Sequence, residues 1–326
     1  MLVTGGAGYI GSHAAKALCR AGYRVVVYDN LSAGHRGAVR YGPLVEGEIG
    51  DVRAVREVLR HHGIFAVMHF AAFLDVGESV RDPGRYYRNN VVGTLGVLDA
   101  MAAESVRYFV LSSTCATYGD PVETPMTEMH PQRPINSYGE TKLAVERALP
   151  HFLRAHGLRS VALRYFNAAG ADPEGEIGED HRPEIHLIPR AIGAASGGGG
   201  LQVFGDDYST PDGTCLRDYV HVADLADAHL RALEAMVEGK GSDAYNLGTG
   251  RPHSVREVIA SVERVTGRTV PWTLAPRRPG DPATLYAAPD RARGELGWAP
   301  RFMDLDAIVS TAWNWHRAHP HGYEGV

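Results

Sequence analysis

Short apolar, β-branched runs recur through the first half of the chain, at Arg24–Tyr28, Phe65–Phe70, Tyr108–Leu111 and Ser160–Leu163, after an opening Leu2-Val3. Between them the apolar positions adopt the three-to-four spacing of amphipathic helices, at about 9–21, 51–62, 83–103 and 137–155. Strands that alternate with helices of this length build a parallel sheet covered on both faces. The expected fold is therefore α/β, a doubly wound parallel sheet, with ligands bound beyond the carboxyl ends of its strands. The second half is less regular. Asp172–Arg182 is polar and glycine-rich, Ser196–Gly200 is a glycine run, and prolines punctuate 271–282. Strand and helix signals return at Asp218–Met236 and Ala244–Leu247. The pattern predicts a first domain over 1–166 and a smaller mixed α/β domain over 167–326, with segments around 213–235 returning to the first.

The opening strand runs straight into Gly5, Gly6, Gly8 and Gly11, and a helix begins. One glycine of such a turn makes the bend, a second lets a pyrophosphate approach the backbone, and the last lets the helix pack on the strand. Asp29 closes the next strand at about the 20-residue separation expected of a carboxylate for the adenine-side ribose. Glycine turns without a ligand are common. A preceding strand, a following helix and this acid together point to a dinucleotide, and a carboxylate at 29 disfavours a 2′-phosphate.

Tyr138 and Lys142 are four apart in Ser137-Tyr-Gly-Glu-Thr-Lys, one turn apart on one helix face. A free phenol, with a pKa near ~10, is a poor base, and a nearby ammonium favours the phenolate. The pair is thus a candidate general base for a hydroxyl, although the same spacing also occurs on ordinary exposed helices. Ser112, Ser113 and Thr114 end an apolar strand that would face the same ligand, and a hydroxyl there can hold or relay a proton.

Composition narrows the field. With 326 residues, 44% hydrophobic, the chain can bury a large core, and a net charge of −5 without a basic run argues against nucleic acid. No apolar stretch reaches membrane-span length, and a chain that opens on its first strand is expected to carry no signal peptide, although its native start could be a residue or two longer. Cys19, Cys115 and Cys215 are isolated, which suits a reducing cytoplasm and no metal site. His316, His319 and His321 read as surface residues.

These motifs are similar to those of the extended short-chain dehydrogenase/reductase family, in its nucleotide-sugar epimerase branch, and the resemblance runs end to end. It includes Asp29-Asn-Leu, His69-Phe-Ala-Ala, Val76-Gly-Glu-Ser, Tyr86-Tyr-Arg-Asn-Asn, Ser137-Tyr-Gly-x-x-Lys and Arg164-Tyr-Phe-Asn. It continues through Gly178-Glu-Asp, Phe204-Gly-Asp-Asp-Tyr, Asp212-Gly-Thr, Arg217-Asp-Tyr-Val-His-Val, Tyr245-Asn-Leu-Gly and Arg277-Arg-Pro-Gly-Asp.

The resemblance implies a Rossmann-type sheet, NAD as cofactor and a UDP-sugar as substrate. It also implies a redox-neutral inversion at C4 of a UDP-hexose through a 4-keto intermediate, and a homodimer. Another UDP-sugar, carrying an N-acetyl group, a pentose or a uronic acid, is the alternative. The implied catalytic residues are Thr114, Tyr138 and Lys142. Gly5, Gly8, Tyr9, Ile10 and Gly11 would cradle the pyrophosphate and Asp29 the ribose. Asn30, Glu48, Ile49, Phe70, Ala71, Asn89, Ser112 and Tyr165 would complete the cofactor contacts. Asn167, Leu187, Phe204, Arg217, Tyr219, Arg278, Asp281 and Leu285 would hold the substrate. Three positions depart from the family pattern. Leu74 stands where some members have a lysine, Glu48 replaces an aspartate near the adenine, and Leu285 has intermediate bulk where size is thought to gate N-acetyl sugars. A 4,6-dehydratase on this scaffold needs an Asp-Glu pair after Thr114, and Cys115-Ala116 stand there instead.

Overall fold

The computed structural model describes residues 1–278 and 280–324; Pro279, within the Arg277–Asp281 block, lies outside the described residues. Strands β1 (Leu2–Thr4), β2 (Val26–Asp29), β3 (Leu44–Glu46), β4 (Ala66–His69), β5 (Tyr108–Thr114) and β6 (Arg159–Tyr165) open the chain. They are interleaved with α1 (Tyr9–Arg20), α2 (Val52–His61), α3 (Val76–Arg81), α4 (Pro83–Tyr86), α5 (Thr94–Ala103) and α6 (Ser137–His156). Next come β7 (Asn167–Ala169), α7 (Leu187–Ala195), β8 (Leu201–Phe204), β9 (Leu216–His221), α8 (Val222–Val237) and β10 (Asp243–Leu247). The chain ends through β11 (Pro252–Ser254), α9 (Val255–Thr266), β12 (Trp272–Ala275), β13 (Thr284–Leu285), α10 (Asp290–Leu296) and α11 (Leu305–Ala318).

The expected doubly wound parallel sheet is present, in the order β10-β6-β5-β4-β1-β2-β3 with every neighbouring pair parallel. The order reverses between β1 and β4. A crevice opens at such a point, because the helices after the two strands pass to opposite faces. One face of the sheet buries Val3, Ala14, Leu18, Leu225 and Leu233, and the other buries Leu2, Val55, Leu98, Phe109 and Leu149. Burial on both faces explains why these strands read as continuous apolar runs rather than alternating ones. The short edge strand β3 gave no such signal, since its residues are half-buried or exposed. β10, drawn in from beyond residue 166, pairs with β6 at the opposite edge.

A second set of elements builds its own core from Ile188, Ile192, Val203, Val258, Val262, Ile308 and Val309. Its β9 is flanked by β11 and β13 and also pairs with β7. Asp218, buried in β9, accepts from the Thr249 amide (2.9 Å), the Thr249 hydroxyl (2.6 Å) and the Gly250 amide (3.1 Å). These bonds satisfy a carboxylate that would otherwise be costly to bury, and they fix the strand that carries Arg217 and Tyr219.

The expected helix over 83–103 is continuous but contains a π-helical turn at Tyr87–Gly93. That extra residue per turn rotates the asparagines inward. Asn90 accepts from the Phe73 amide (2.9 Å) and donates to the Phe73 carbonyl (3.0 Å). Local π turns of this kind often serve ligand sites.

Beneath the ends of β5 and β6, Glu146 of α6 takes both Nε (3.1 Å to each oxygen) and Nη2 (2.5 Å) of Arg164, with side-chain exposures of 7% and 8%. The Ser113 hydroxyl and Gln132 Nε2 also donate to Glu146. Arg164 Nη1 donates to the Tyr118 hydroxyl at 2.9 Å, which in turn donates to Asn246 at 2.6 Å. Removing one partner of such a pair strands a buried charge. Glu146→Ala is therefore expected to lose about 3–5 kcal/mol in urea unfolding, and adding Arg164→Met should recover most of that loss.

Candidate active site

The cleft at the strand ends is made by chain turns that only small residues permit. Gly8 caps α1 without any side-chain acceptor, so the first amides of this helix have no partner from a capping side chain. A Cβ at Gly11 would lie 2.2 Å from the Gly5 carbonyl oxygen. Glycine alone lets α1 close onto the turn and present those amides as an anion site. Asp29 ends β2 with one oxygen held by the Ala7 amide (3.0 Å) and the other by the Leu31 amide (2.8 Å). Burial pushes its pKa up, and these amides oppose the shift.

The cleft measures about 990 Å³. Gly5, Gly8, Tyr9, Ile10, Gly11, Asp29, Asn30, Ile49, Phe70, Ala71, Asn89, Ser112 and Tyr165 line it, together with Thr114, Tyr138 and Lys142. A second pocket of about 210 Å³ is lined by Leu187, Phe204, Arg217 and Tyr219. Asn167, Arg278 and Asp281 border both.

Asn136 caps α6 by accepting from the Gly139 amide at 2.8 Å. A Cβ at Gly139 would stand 2.4 Å from the Ala116 carbonyl oxygen, so glycine brings the first turn of α6 against the turn that follows Thr114. Lys142 Nζ donates to the Ser112 carbonyl at 2.8 Å, and the Ser112 and Tyr165 hydroxyls share a hydrogen bond. Burial lowers the Lys142 pKa to about 8, against the pull of Glu146. Behind them His69 is buried and neutral, its pKa lowered by burial to about 3, with Thr4 at 2.7 Å and Thr94 at 2.9 Å on its two ring nitrogens.

The charge expected to favour the Tyr138 phenolate comes from Lys142 and from an oxidised nicotinamide; the protein by itself does not hold Tyr138 below its ordinary pKa. Burial pushes it well above that range, Tyr165 pushes the same way, and hydrogen bonding by the Thr114 hydroxyl opposes them. A lysine one turn away does not offset this, and positive charge brought into the cleft by the cofactor would act in the same direction as the lysine.

Two residues fall elsewhere than expected. Glu48 is absent from the cleft wall: its carboxylate accepts from Asn30 Nδ2 (3.0 Å) and its carbonyl from the Tyr28 hydroxyl (3.0 Å). Leu285 borders neither cavity. It lies in β13 beside Arg217 and packs on the cluster of Tyr118, Met126, Phe166 and Ala287. The two arginines are also engaged. Arg217 pairs with Asp281, and Arg278 stacks 3.8 Å from the centre of the Phe204 ring. Leu74 does line the cleft. His181, Glu184, Ile185, His186 and Arg190 line it as well, unnamed by the motif reading. The one sequence signal for them was the alternation of acids and histidines through Glu179–His186.

Comparison with other proteins places the whole chain. The profile of the NAD dependent epimerase/dehydratase family matches residues 1–248. The chain belongs to this family. A UDP-glucose 4-epimerase of Rhizobium leguminosarum bv. trifolii is 55% identical over 317 residues, 97% of either chain. The crystal structure of UDP-glucose 4-epimerase from Brucella ovis in complex with NAD is 55% identical and superposes with a TM-score of 0.94 over 96% of either chain. That of UDP-glucose 4-epimerase from Bifidobacterium longum in complex with NAD+ and UDP is 38% identical, with a TM-score of 0.92 over 98% of this chain and 99% of that one. Among the described residues no helix is long and apolar enough to cross a membrane.

The residues of this family member fit a dinucleotide, with uncapped α1 amides for its phosphates, a buried carboxylate at 29 for its ribose, and a wall that includes Phe70 and Ala71. Gly11→Ala is expected to abolish co-purification of NAD, read by absorbance of the dinucleotide released on denaturation. Retention of a full equivalent would refute the assignment of this turn.

Proposed function

We propose that the chain interconverts UDP-glucose and UDP-galactose by inverting C4 of the hexose, with NAD retained in the cleft throughout. The observation that carries this reading is the convergence of Thr114, Tyr138 and Lys142 on the glycine-turn cleft, next to a pocket lined by Arg190, Arg217 and Arg278. Family membership and the relatives' activity support it.

When bound, NAD supplies a reversible hydride acceptor for the sugar carbon. Tyr138 takes the proton of the 4-hydroxyl as the C4–H bond breaks, leaving a 4-keto sugar. Thr114 donates a hydrogen bond to the reacting oxygen. Lys142, fixed by the Ser112 carbonyl, provides positive charge beside the phenol. Arg217 and Arg278 grip the diphosphate, each with several donors. Their binding energy acts far from C4, so the ring is free to turn and present its other face. Tyr138 then returns the proton to the oxygen of the inverted alcohol. A dehydratase has no support: Cys115 is driven up to about 12 by burial and Ala116 carries no acid.

The same reading places the protein in the cytoplasm, in keeping with three free cysteines. It also carries a homodimer formed through helices of the first domain, where Tyr87 and Val92 stand exposed.

The direct test is incubation with UDP-glucose without added NAD. UDP-galactose is expected, and no conversion even with NAD supplied overturns the proposal. Tyr138→Phe should lower kcat by about 10²–10⁴-fold while KM changes little. Lys142 carries its charge below about pH 8 and loses it above. The profile of kcat/KM should therefore fall as pH rises through about 8, and Lys142→Arg should flatten that limb.

A further inference from the structure

Two clusters of carboxylates lie in the segment between β7 and α7, and they are completed differently. Asp172, Glu174 and Glu176 close around Lys16 Nζ at 2.6, 2.9 and 2.7 Å, so a resident ammonium already occupies the centre of that cluster. Glu179 and Glu184 have no lysine or arginine between them among the described residues. Their ion-pair partners are His181 and His186. Both imidazoles turn the same atom, Nδ1, to the same Glu179 oxygen, at 3.1 and 2.7 Å. His186 Nδ1 is also 3.1 Å from one Glu184 oxygen, and His181 Nδ1 is 3.8 Å from the other. One donor atom from each of the four side chains lies within 4.8 Å of the rest.

These contacts bracket the spacing of a coordination shell, and the shorter ones must open by up to about 0.6 Å to admit an ion. Ligand atoms about 2.0–2.2 Å from a tetrahedral zinc stand roughly 3.3–3.6 Å apart. The donor set of two imidazole nitrogens and two carboxylate oxygens suits a borderline divalent ion rather than calcium or magnesium, which favour oxygen alone. Glu179 is buried, with only 4% of its surface exposed, and its charge is met within the cluster by the imidazoles of His181 and His186, a role that a divalent ion would take over.

We propose that Glu179, His181, Glu184 and His186 bind one divalent transition-metal ion of the zinc class. Four protein ligands leave no open position, so the ion is structural. It ties the segment bearing Ile185 and His186, which borders both cavities, to the start of α7. The site shares the cleft wall with the sugar chemistry but plays no part in it, and its test needs no activity.

The full-length protein, stripped by dialysis against a chelator, is titrated with Co²⁺ alone and followed by visible absorption. One equivalent with the intense bands of tetrahedral cobalt, displaced by Zn²⁺, is expected. Glu179→Gln and the double substitution His181→Asn with His186→Asn should each lose this uptake. Replacing His316 and His319 by Asn should leave it intact. Zn²⁺ should raise the Tm of the stripped protein but not that of Glu179→Gln. Weak octahedral bands, less than one equivalent, or uptake that survives in both ligand variants would overturn the site. If the variants do not fold, the spectrum of the unsubstituted protein decides alone.

Discussion

The buried pair of Glu146 and Arg164 joins the three elements that carry the reactive hydroxyls. Glu146 belongs to α6, Arg164 to β6, and Ser113, which donates to Glu146, to β5. Thr114 follows Ser113, Tyr165 follows Arg164, and Lys142 stands one turn before Glu146. A single charge-assisted contact thus sets the heights of Thr114, Tyr165 and Lys142 relative to one another. The chain runs on from it through Tyr118 to Asn246 of β10, at the far edge of the sheet. Main-chain pairing of β5 with β6 sets the register, with Thr114 level with Tyr165. The ion pair adds what a sheet cannot, the position of a helix over it.

Burial works against the ionisable groups of the cleft in opposite directions. It pulls the Lys142 ammonium towards neutrality and holds Tyr138 as the phenol. Each group alone is therefore less charged than in water, and each charged form favours the other by Coulomb attraction in a medium of low dielectric. The second pocket follows another logic. Two of its arginines are already paired or stacked, Arg217 with Asp281 and Arg278 on Phe204. They are held in place before a ligand arrives, which reduces the ordering cost of binding.

Much of this was legible in the sequence where one local pattern determines one local structure. The glycine turn, the acid at 29 and the Tyr138–Lys142 spacing each concern residues on a single turn or helix face, and all border the cleft. The strands buried on both faces announced themselves as apolar runs. What stayed hidden depends on contacts distant in sequence. The three-residue strands β3, β7 and β11 owe their existence to pairing partners rather than to their own residues. Leu285 could be matched to a family position by spacing, but its burial behind Phe166 is decided by the pairing of β13 with β9. The lowering of the Tyr138 pKa was argued from a neighbour's charge, without the desolvation that only a folded environment reveals.

The reversal of strand order between β1 and β4 has a consequence for how the protein meets its surroundings. It sinks the dinucleotide site between α1 on one side and α6 on the other, with His181, Ile185 and His186 along its rim. A cofactor lodged there and returned to its starting state in every cycle serves as a fixed part of the catalyst. In the proposed reaction the rate then neither draws on nor reports the ratio of oxidised to reduced dinucleotide outside the protein.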